Sequence, residues 1–167
     1  SQPRRMISTQ EYNQAVKEHT RSVFRFLYKS VRDEEVVNDL VQDCYLKLWQ
    51  NRAKVNPAKI KPWLFSVAHR AMLDYFAASA RQVKLDAAVQ PPPVFQNTGF
   101  DTKAVVERAL GELPPLQKSI ILLRDLESYS YQEIGDILEL NEAQVKVYLF
   151  RARKKVKDYI KNLAHVI

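Results

Sequence analysis

Apolar residues in this chain recur mostly at intervals of three and four rather than two, the pattern of amphipathic helices. The spacing predicts a helix from about Ser8 to Ser30, a second from about Asp33 to Gln50 and a third from about Pro62 to Ala80. Pro62 suits a first helical position, because its missing amide would be unpaired there anyway. The period is then lost over QVKLDAAVQPPPVFQNTGFDTK, residues 82–103, whose three consecutive prolines read as an extended connector. Helical spacing returns near Thr102, breaks at Leu113-Pro114-Pro115 and resumes from about Leu116 to Leu126. The expected fold is all-α, with two small helical domains at residues 1–81 and 102–167 joined by a flexible, proline-containing linker over 82–101.

Residues 130–155, SYQEIGDILELNEAQVKVYLFRARKK, read as a helix, a tight turn and a second helix that becomes basic toward its end, the signature of a DNA-reading helix-turn-helix. Ser130 and Glu133 have capping-box spacing, which starts the first helix at about Tyr131. Gly135 is the small residue that permits a close crossing. Asn141 caps the second helix, with Gln144 in the reciprocal position. On that second helix Val145, Leu149, Ala152 and Val156 form one apolar stripe. Opposite the stripe lie Ala143, Val147, Phe150, Arg151 and Lys154, flanked by Lys146 and Arg153 on one side and Gln144 and Tyr148 on the other. Such a face can enter a major groove, its early residues meeting base edges and its cations neutralising phosphates. An amphipathic surface helix with a solvated charge run would show the same pattern.

Two further segments point to binding chemistry. The second helix turns Val36, Val37, Leu40, Val41, Cys44, Tyr45 and Leu48 inward, leaving Glu35, Asn38, Asp39, Gln42, Asp43 and Lys47 outside. By itself that outer face is either a solvated acidic surface or a docking surface for a basic partner. NRAKVNPAKIK, residues 51–61, is basic without an acid and leads into a helix carrying Trp63, Phe65, Tyr75 and Phe76 interleaved with His69 and Arg70. Aromatics at helical spacing are usually core, but a basic loop entering an aromatic helix can hold a single strand by phosphate contacts and stacking.

Composition narrows the partner. A net charge of +7 favours a polyanion, and its distribution says more than its total. From Lys146 to Lys161 the basic residues Lys146, Arg151, Arg153, Lys154, Lys155, Lys157 and Lys161 face one acid, Asp158, whereas Asp33, Glu34, Glu35, Asp39 and Asp43 fall in a stretch with no base. The lone Cys44 excludes an intrachain disulfide and reads as buried filler. No apolar run approaches a membrane span, and the N-terminal SQPRRM lacks a signal-peptide core, so a cytoplasmic compartment is expected. His19, His69 and His165 are scattered and no glycine-rich phosphate loop is present, so neither metal, cofactor nor catalysis is expected.

Taken in order, these segments resemble the extracytoplasmic-function (ECF) group of bacterial sigma factors, within the sigma-70 family. DEEVVNDLVQDCYLKLWQN is similar to the family's region 2.2, KPWLFSVAHRAMLDYF to regions 2.3 and 2.4, and LGELPPLQKSIILLRDLESYSYQEIGDILELNEAQVKVYLFRAR to region 4. The resemblance covers about residues 8–81 and 102–163. It implies docking on core RNA polymerase, through its beta-prime and beta subunits, by the acidic second helix: Asp39, Gln42 and Asp43 centrally, Glu35 and Asn38 beside them. It implies capture of the melted nontemplate strand of the minus-ten element by Asn51, Arg52, Lys54, Asn56, Lys59 and Lys61 from the loop, with Trp63, His69, Arg70, Asp74 and Tyr75 from the third helix. A flipped base would enter a pocket beside the loop. The minus-thirty-five duplex would be read by Lys146, Val147, Phe150 and Arg151, supported by Gln144, Tyr148 and Arg153. It further implies a linker threading toward the polymerase active site, association with the nucleoid when active, and an anti-sigma protein as partner.

The chain departs from the family pattern at Gln144-Val145-Lys146-Val147-Tyr148, where Thr-Val-Lys-Ser-Arg is common, so the promoter sequence read there should differ. The basic run usual after the third helix is reduced to Ala77-Ala78-Ser79-Ala80-Arg81, which implies weaker duplex contacts upstream of the minus-ten element. Glu139 stands where glycine is common, implying a turn without a left-handed residue. Two rival readings are a dimeric helix-turn-helix regulator with no polymerase docking and a nuclease with a helical DNA-binding appendage. The first leaves the acidic helix and basic loop unused; the second lacks paired carboxylates in a metal arrangement.

Overall fold

The computed structural model describes residues 5–85 and 101–165, and all regular structure among them is helical. The N-terminal half contains α1 (Thr9–Val31), α2 (Glu34–Gln50) and α3 (Ile60–Leu85); the C-terminal half contains α4 (Thr102–Gly111), α5 (Pro115–Ile121), α6 (Tyr131–Leu138) and α7 (Glu142–His165). Most of the linker expectation, residues 86–100, lies outside the described residues.

Local chemistry sets the ends. Ser8 and Glu11 form a reciprocal capping box on α1, each bond 3.1 Å. Arg32 closes α1 in the left-handed region, its amide bonded to the Tyr28 carbonyl, and Asp33 caps α2 by accepting from the Glu35 and Val36 amides. Pro62 is not the first residue of α3. A short 3-10 turn, Pro57–Lys59, capped by Asn56, feeds the helix, so α3 begins at Ile60, with Pro62 still in the first turn where amides lack helical partners. The helix also runs on to Leu85, past the expected end at Ala80 and into the segment assigned to the linker. In the C-terminal half α4 ends at Gly111, Pro114 stands at the N-cap of α5 and Pro115 opens it, and α5 runs into a π-helical turn at Leu122–Leu126.

The core of the N-terminal half gathers Val23, Phe26 and Leu27 from α1, Val37, Val41, Cys44 and Leu48 from α2, and Leu64, Phe65, Ala68 and Met72 from α3. The C-terminal core is Ile120, Leu123, Ile134, Ile137, Val145, Leu149 and Ala152. These two sets are continuous: Phe65 of α3 meets Phe26 edge-on at 5.2 Å on one side and Tyr129, just before α6, at 6.0 Å on the other. The halves are therefore packed together through α3 and α1.

Candidate nucleic-acid interface

The helix-turn-helix forms as its sequence dictates. The Ser130–Glu133 box caps α6 with bonds of 2.9 and 3.1 Å, and Asn141 and Gln144 exchange reciprocal bonds of 2.9 and 2.8 Å at the start of α7. A Cβ on Gly135 would lie 2.5 Å from the Leu140 carbonyl oxygen, so the glycine is required by the turn backbone itself, with the Val145 side chain of α7 next at 3.8 Å. Glu139 corrects the sequence expectation: it is left-handed, φ 60° and ψ 46°, with its amide bonded to the Gly135 carbonyl. The geometry of the α6 end outweighs the cost of a side chain there.

On α7 the stripe Val145, Leu149 and Ala152 is buried and Val156 half-buried, which turns the opposite face outward. Phe150 is 70% exposed and Val147 47% exposed, large apolar groups held in water beside the exposed Gln144, Lys146 and Arg151. Arg153 is engaged by Asp125 at 2.8 Å, and Lys146 lies 3.7 Å from Glu142 and above the Tyr131 ring. Tyr148, placed on the outer flank by periodicity, is half-buried against the core. The face thus has an apolar centre and a cationic rim, suited to base edges within a phosphate frame.

The exposed side of α2 is as the periodicity requires. Glu35, Asn38, Asp39, Gln42 and Asp43 are all exposed, while Cys44 is buried and its thiol pushed up to about 12 by that burial. Two residues of this face escaped the sequence reading: Leu46 is 55% and Trp49 37% exposed, and the Arg52 guanidinium stacks 3.4 Å from the Trp49 ring centroid. Their signal was an apolar residue one step outside the inward stripe, which polar-face counting passes over.

The basic loop and α3 are more heterogeneous. Asn51 bonds the Lys47 carbonyl and Asn56 caps the 3-10 turn, so both amides already serve the loop's own backbone. Lys54 and Lys59 are exposed, and with Asn56 and Trp63 they line a cleft of about 580 Å³ whose opposite wall is Tyr129, Glu133, Asp136 and Ile137 of the C-terminal half. Lys61 is 3.1 Å from Glu127, and Arg70 pairs with Glu139. His69 is buried, its Nδ1 2.8 Å from Ser119 Oγ, and burial together with Arg70 holds its pKa down to about 4. Asp74 is exposed, and Tyr75 is half-buried against Phe76. Sequence reasoning brought these side chains to one surface but not the C-terminal half onto it.

The comparisons with known proteins fit this arrangement of surfaces. Residues 15–82 match the model of Sigma-70 region 2 and residues 103–156 that of Sigma-70, region 4. The ECF RNA polymerase sigma factor SigM of Bacillus subtilis is 30% identical over 141 residues, spanning 81% of this chain and 86% of that protein. The chain belongs to the ECF sigma factors. Another relative, the ECF sigma factor SigK of a Mycobacterium species, is 28% identical over 164 residues, 92% of this chain and 81% of that protein. Among solved structures, the fold is that of the sigma factor RpoE of Bartonella quintana, solved with the anti-sigma factor NepR: TM-score 0.72 at 20% identity, covering 92% of this chain and 98% of that one. CnrH, solved with the cytosolic domain of CnrY, gives a TM-score of 0.70 at 22% identity over 93% of this chain and 90% of that one. In this sigma factor no described helix is long and apolar enough to cross a membrane.

Proposed function

We propose that this sigma factor binds core RNA polymerase through the exposed acidic face of α2 and directs it to promoters bearing two elements. The supporting observation is the order of three surfaces on one chain of sigma family: exposed acids on α2, cations with the half-buried Trp63 around the loop, and an exposed apolar centre with cationic rim on α7. Asp39, Gln42 and Asp43 form the centre of docking, Glu35 and Asn38 its edge, with Leu46 and Trp49 adding apolar area. The loop and α3 hold the unpaired nontemplate strand, which lowers the cost of opening because the strand is bound in preference to the duplex. Among the named residues, Lys54, Lys59, Lys61, Trp63 and Arg70 supply charge and stacking, whereas Asn51 and Asn56 shape the loop. The α7 face reads the upstream duplex. The domain limits follow, as 1–81 for the first function and 102–167 for the second. Because the solved RpoE and CnrH were each captured with a partner, NepR and CnrY, we extend an inhibitory protein partner to this chain as well.

Transcription by purified core polymerase with this chain, on a library of randomised promoters, tests the reading. The expected result is initiation from a restricted set of templates sharing two spaced elements. Absence of both co-elution with core and initiation on every template would overturn it in favour of a simple DNA-binding regulator.

A further inference from the structure

The centre of the exposed α7 face offers DNA few hydrogen-bonding groups. Val147 is 47% and Phe150 70% exposed; three residues apart, they are neighbours on one side of the helix, with the exposed Ala143 one turn before them. The polar residues around this pair are largely engaged. Gln144 accepts from the Asn141 amide with its side-chain oxygen at 2.9 Å, so it does not present oxygen and nitrogen together, the bidentate pattern that reads adenine. Lys146 lies 3.7 Å from Glu142 and above the Tyr131 ring, Tyr148 is half-buried, and Arg153 is held by Asp125 at 2.8 Å. Arg151 and Lys154 stand exposed beside the pair as part of the cationic rim. Cations in that position match a phosphate frame rather than the charge-depleted core of a protein interface.

An apolar pair pressed into a major groove has two outcomes. Against a donor or acceptor on a base edge it removes water and supplies no partner, which costs that group its hydrogen bond. Against the C5-methyl of thymine, the apolar group that the groove displays, it gains buried area, about fourfold in affinity per methyl. We propose that Val147 and Phe150 are a methyl-reading pair: they seat the C5-methyl groups of thymines in the upstream element, which is specified at those positions by methyl packing instead of hydrogen bonds. Phe150 stands about 4.5 Å beyond Val147 along the helix axis, so the pair spans neighbouring base pairs, whose rise is about 3.4 Å. What the pair recognises is the methyl rather than the base, so uracil, which has the same edge without the methyl, is disfavoured. The proposal deepens the role given to α7 above and rests on it.

Deleting single methyls from the DNA tests this. Holoenzyme first selects its upstream element from randomised promoters, and each thymine of that element is then replaced singly by uracil in the duplex. Affinities are compared for holoenzymes carrying wild type, Val147→Ser, Phe150→Ala and Arg151→Ala. Wild type should lose about fourfold at one or two thymines. At those thymines the loss should shrink to less than about 1.5-fold in Val147→Ser or Phe150→Ala, the coupling expected of groups in contact. An effect of the methyl on duplex shape would persist in both variants, and because the ratio is taken within each protein, differences in active fraction cancel. Arg151→Ala should weaken thymine and uracil duplexes alike. A selected element without thymine, uracil tolerated at every position, or equal loss in wild type and both pair variants would overturn methyl reading, while a weakened Arg151→Ala keeps α7 on the duplex. If Arg151→Ala and both pair variants all bind the selected element as wild type does, α7 is not the reader, and the methyl pair falls with that assignment.

Discussion

His69 Nδ1 and Ser119 Oγ lie 2.8 Å apart in a buried contact where α3 meets α5. Either tautomer of a neutral imidazole satisfies the hydroxyl. The imidazolium would add a second cation beside Arg70 in a place only 7% exposed, which is why the pKa falls from 6.5 to about 4.

The consequence is a pH dependence of known sign. A base whose folded pKa is depressed leaves the unfolded chain binding more protons between the two values, so its stabilisation is complete above about 6.5 and lost as pH falls toward 4. The amplitude is on the order of 3 kcal/mol. His19, lowered by burial and by Lys61, adds slope of the same sign, whereas Glu11 and Glu107, both lowered, act below the ordinary carboxylate value of 4.5. Urea denaturation at pH 7.5 and pH 5 should show a lower midpoint at the acid value, and His69→Gln should remove most of that difference. A wild-type midpoint that does not move over this range would refute the buried neutral histidine.

The helix-turn-helix turn makes a paired prediction. Glu139 pays for a left-handed backbone, φ 60°, and its pairing with Arg70 is between side chains 72% and 62% exposed, a pair worth little. Glu139→Gly should therefore stabilise by about 0.5–1 kcal/mol, the difference between side-chain strain and glycine's entropy. Gly135→Ala should do the reverse, by about 1–3 kcal/mol, because its Cβ would meet the Leu140 carbonyl at 2.5 Å. Thermal melts of the two variants check both signs.

What the sequence made legible follows from which forces are local. The Ser130–Glu133 capping box, the Asn141 cap, the stripe on α7 and the acidic face of α2 depend on residues three or four apart, and each formed as read. Glu139 was misread because the absence of glycine was taken to exclude a left-handed residue, whereas the α6 C-terminus demands that conformation. The start of α3 was misread because Pro57, not Pro62, opens the helical path. The closure of the two halves was invisible for a different reason. His69 with Ser119, Lys61 with Glu127 and Arg70 with Glu139 are contacts between residues tens of positions apart, and no periodicity encodes which acid meets which cation.

The docking assignment is testable at one position. Asp39 is exposed on α2, so Asp39→Arg should leave the thermal melt within about 0.5 kcal/mol of wild type. It should nevertheless weaken core polymerase binding at least tenfold, about 1.4 kcal/mol, by placing like charge against a basic partner. Leu46→Ala should weaken binding less, with the same unchanged melt, since Leu46 is 55% exposed and contributes area rather than charge. Native-gel titration against core separates the three proteins. Normal holoenzyme formation by Asp39→Arg would remove the acidic face from the interface.

Arg151 and Arg153 distinguish phosphate contact from internal pairing on α7. Arg151 stands exposed on the outer face, whereas Arg153 is held by Asp125 at 2.8 Å. A cation that neutralises a phosphate releases a counterion, so its loss reduces the slope of log affinity against log salt by about 0.9. Arg151→Ala should show that reduction on a duplex bearing the upstream element. Arg153→Ala should show a smaller one, because its guanidinium must first leave Asp125 to reach a phosphate, and removing it also frees that carboxylate to repel DNA. Fluorescence anisotropy between 50 and about 200 mM salt resolves a one-charge change in slope. Equal slopes for wild type and Arg151→Ala would place Arg151 outside the contact and move the reading surface toward Gln144 and Val147 at the start of the helix.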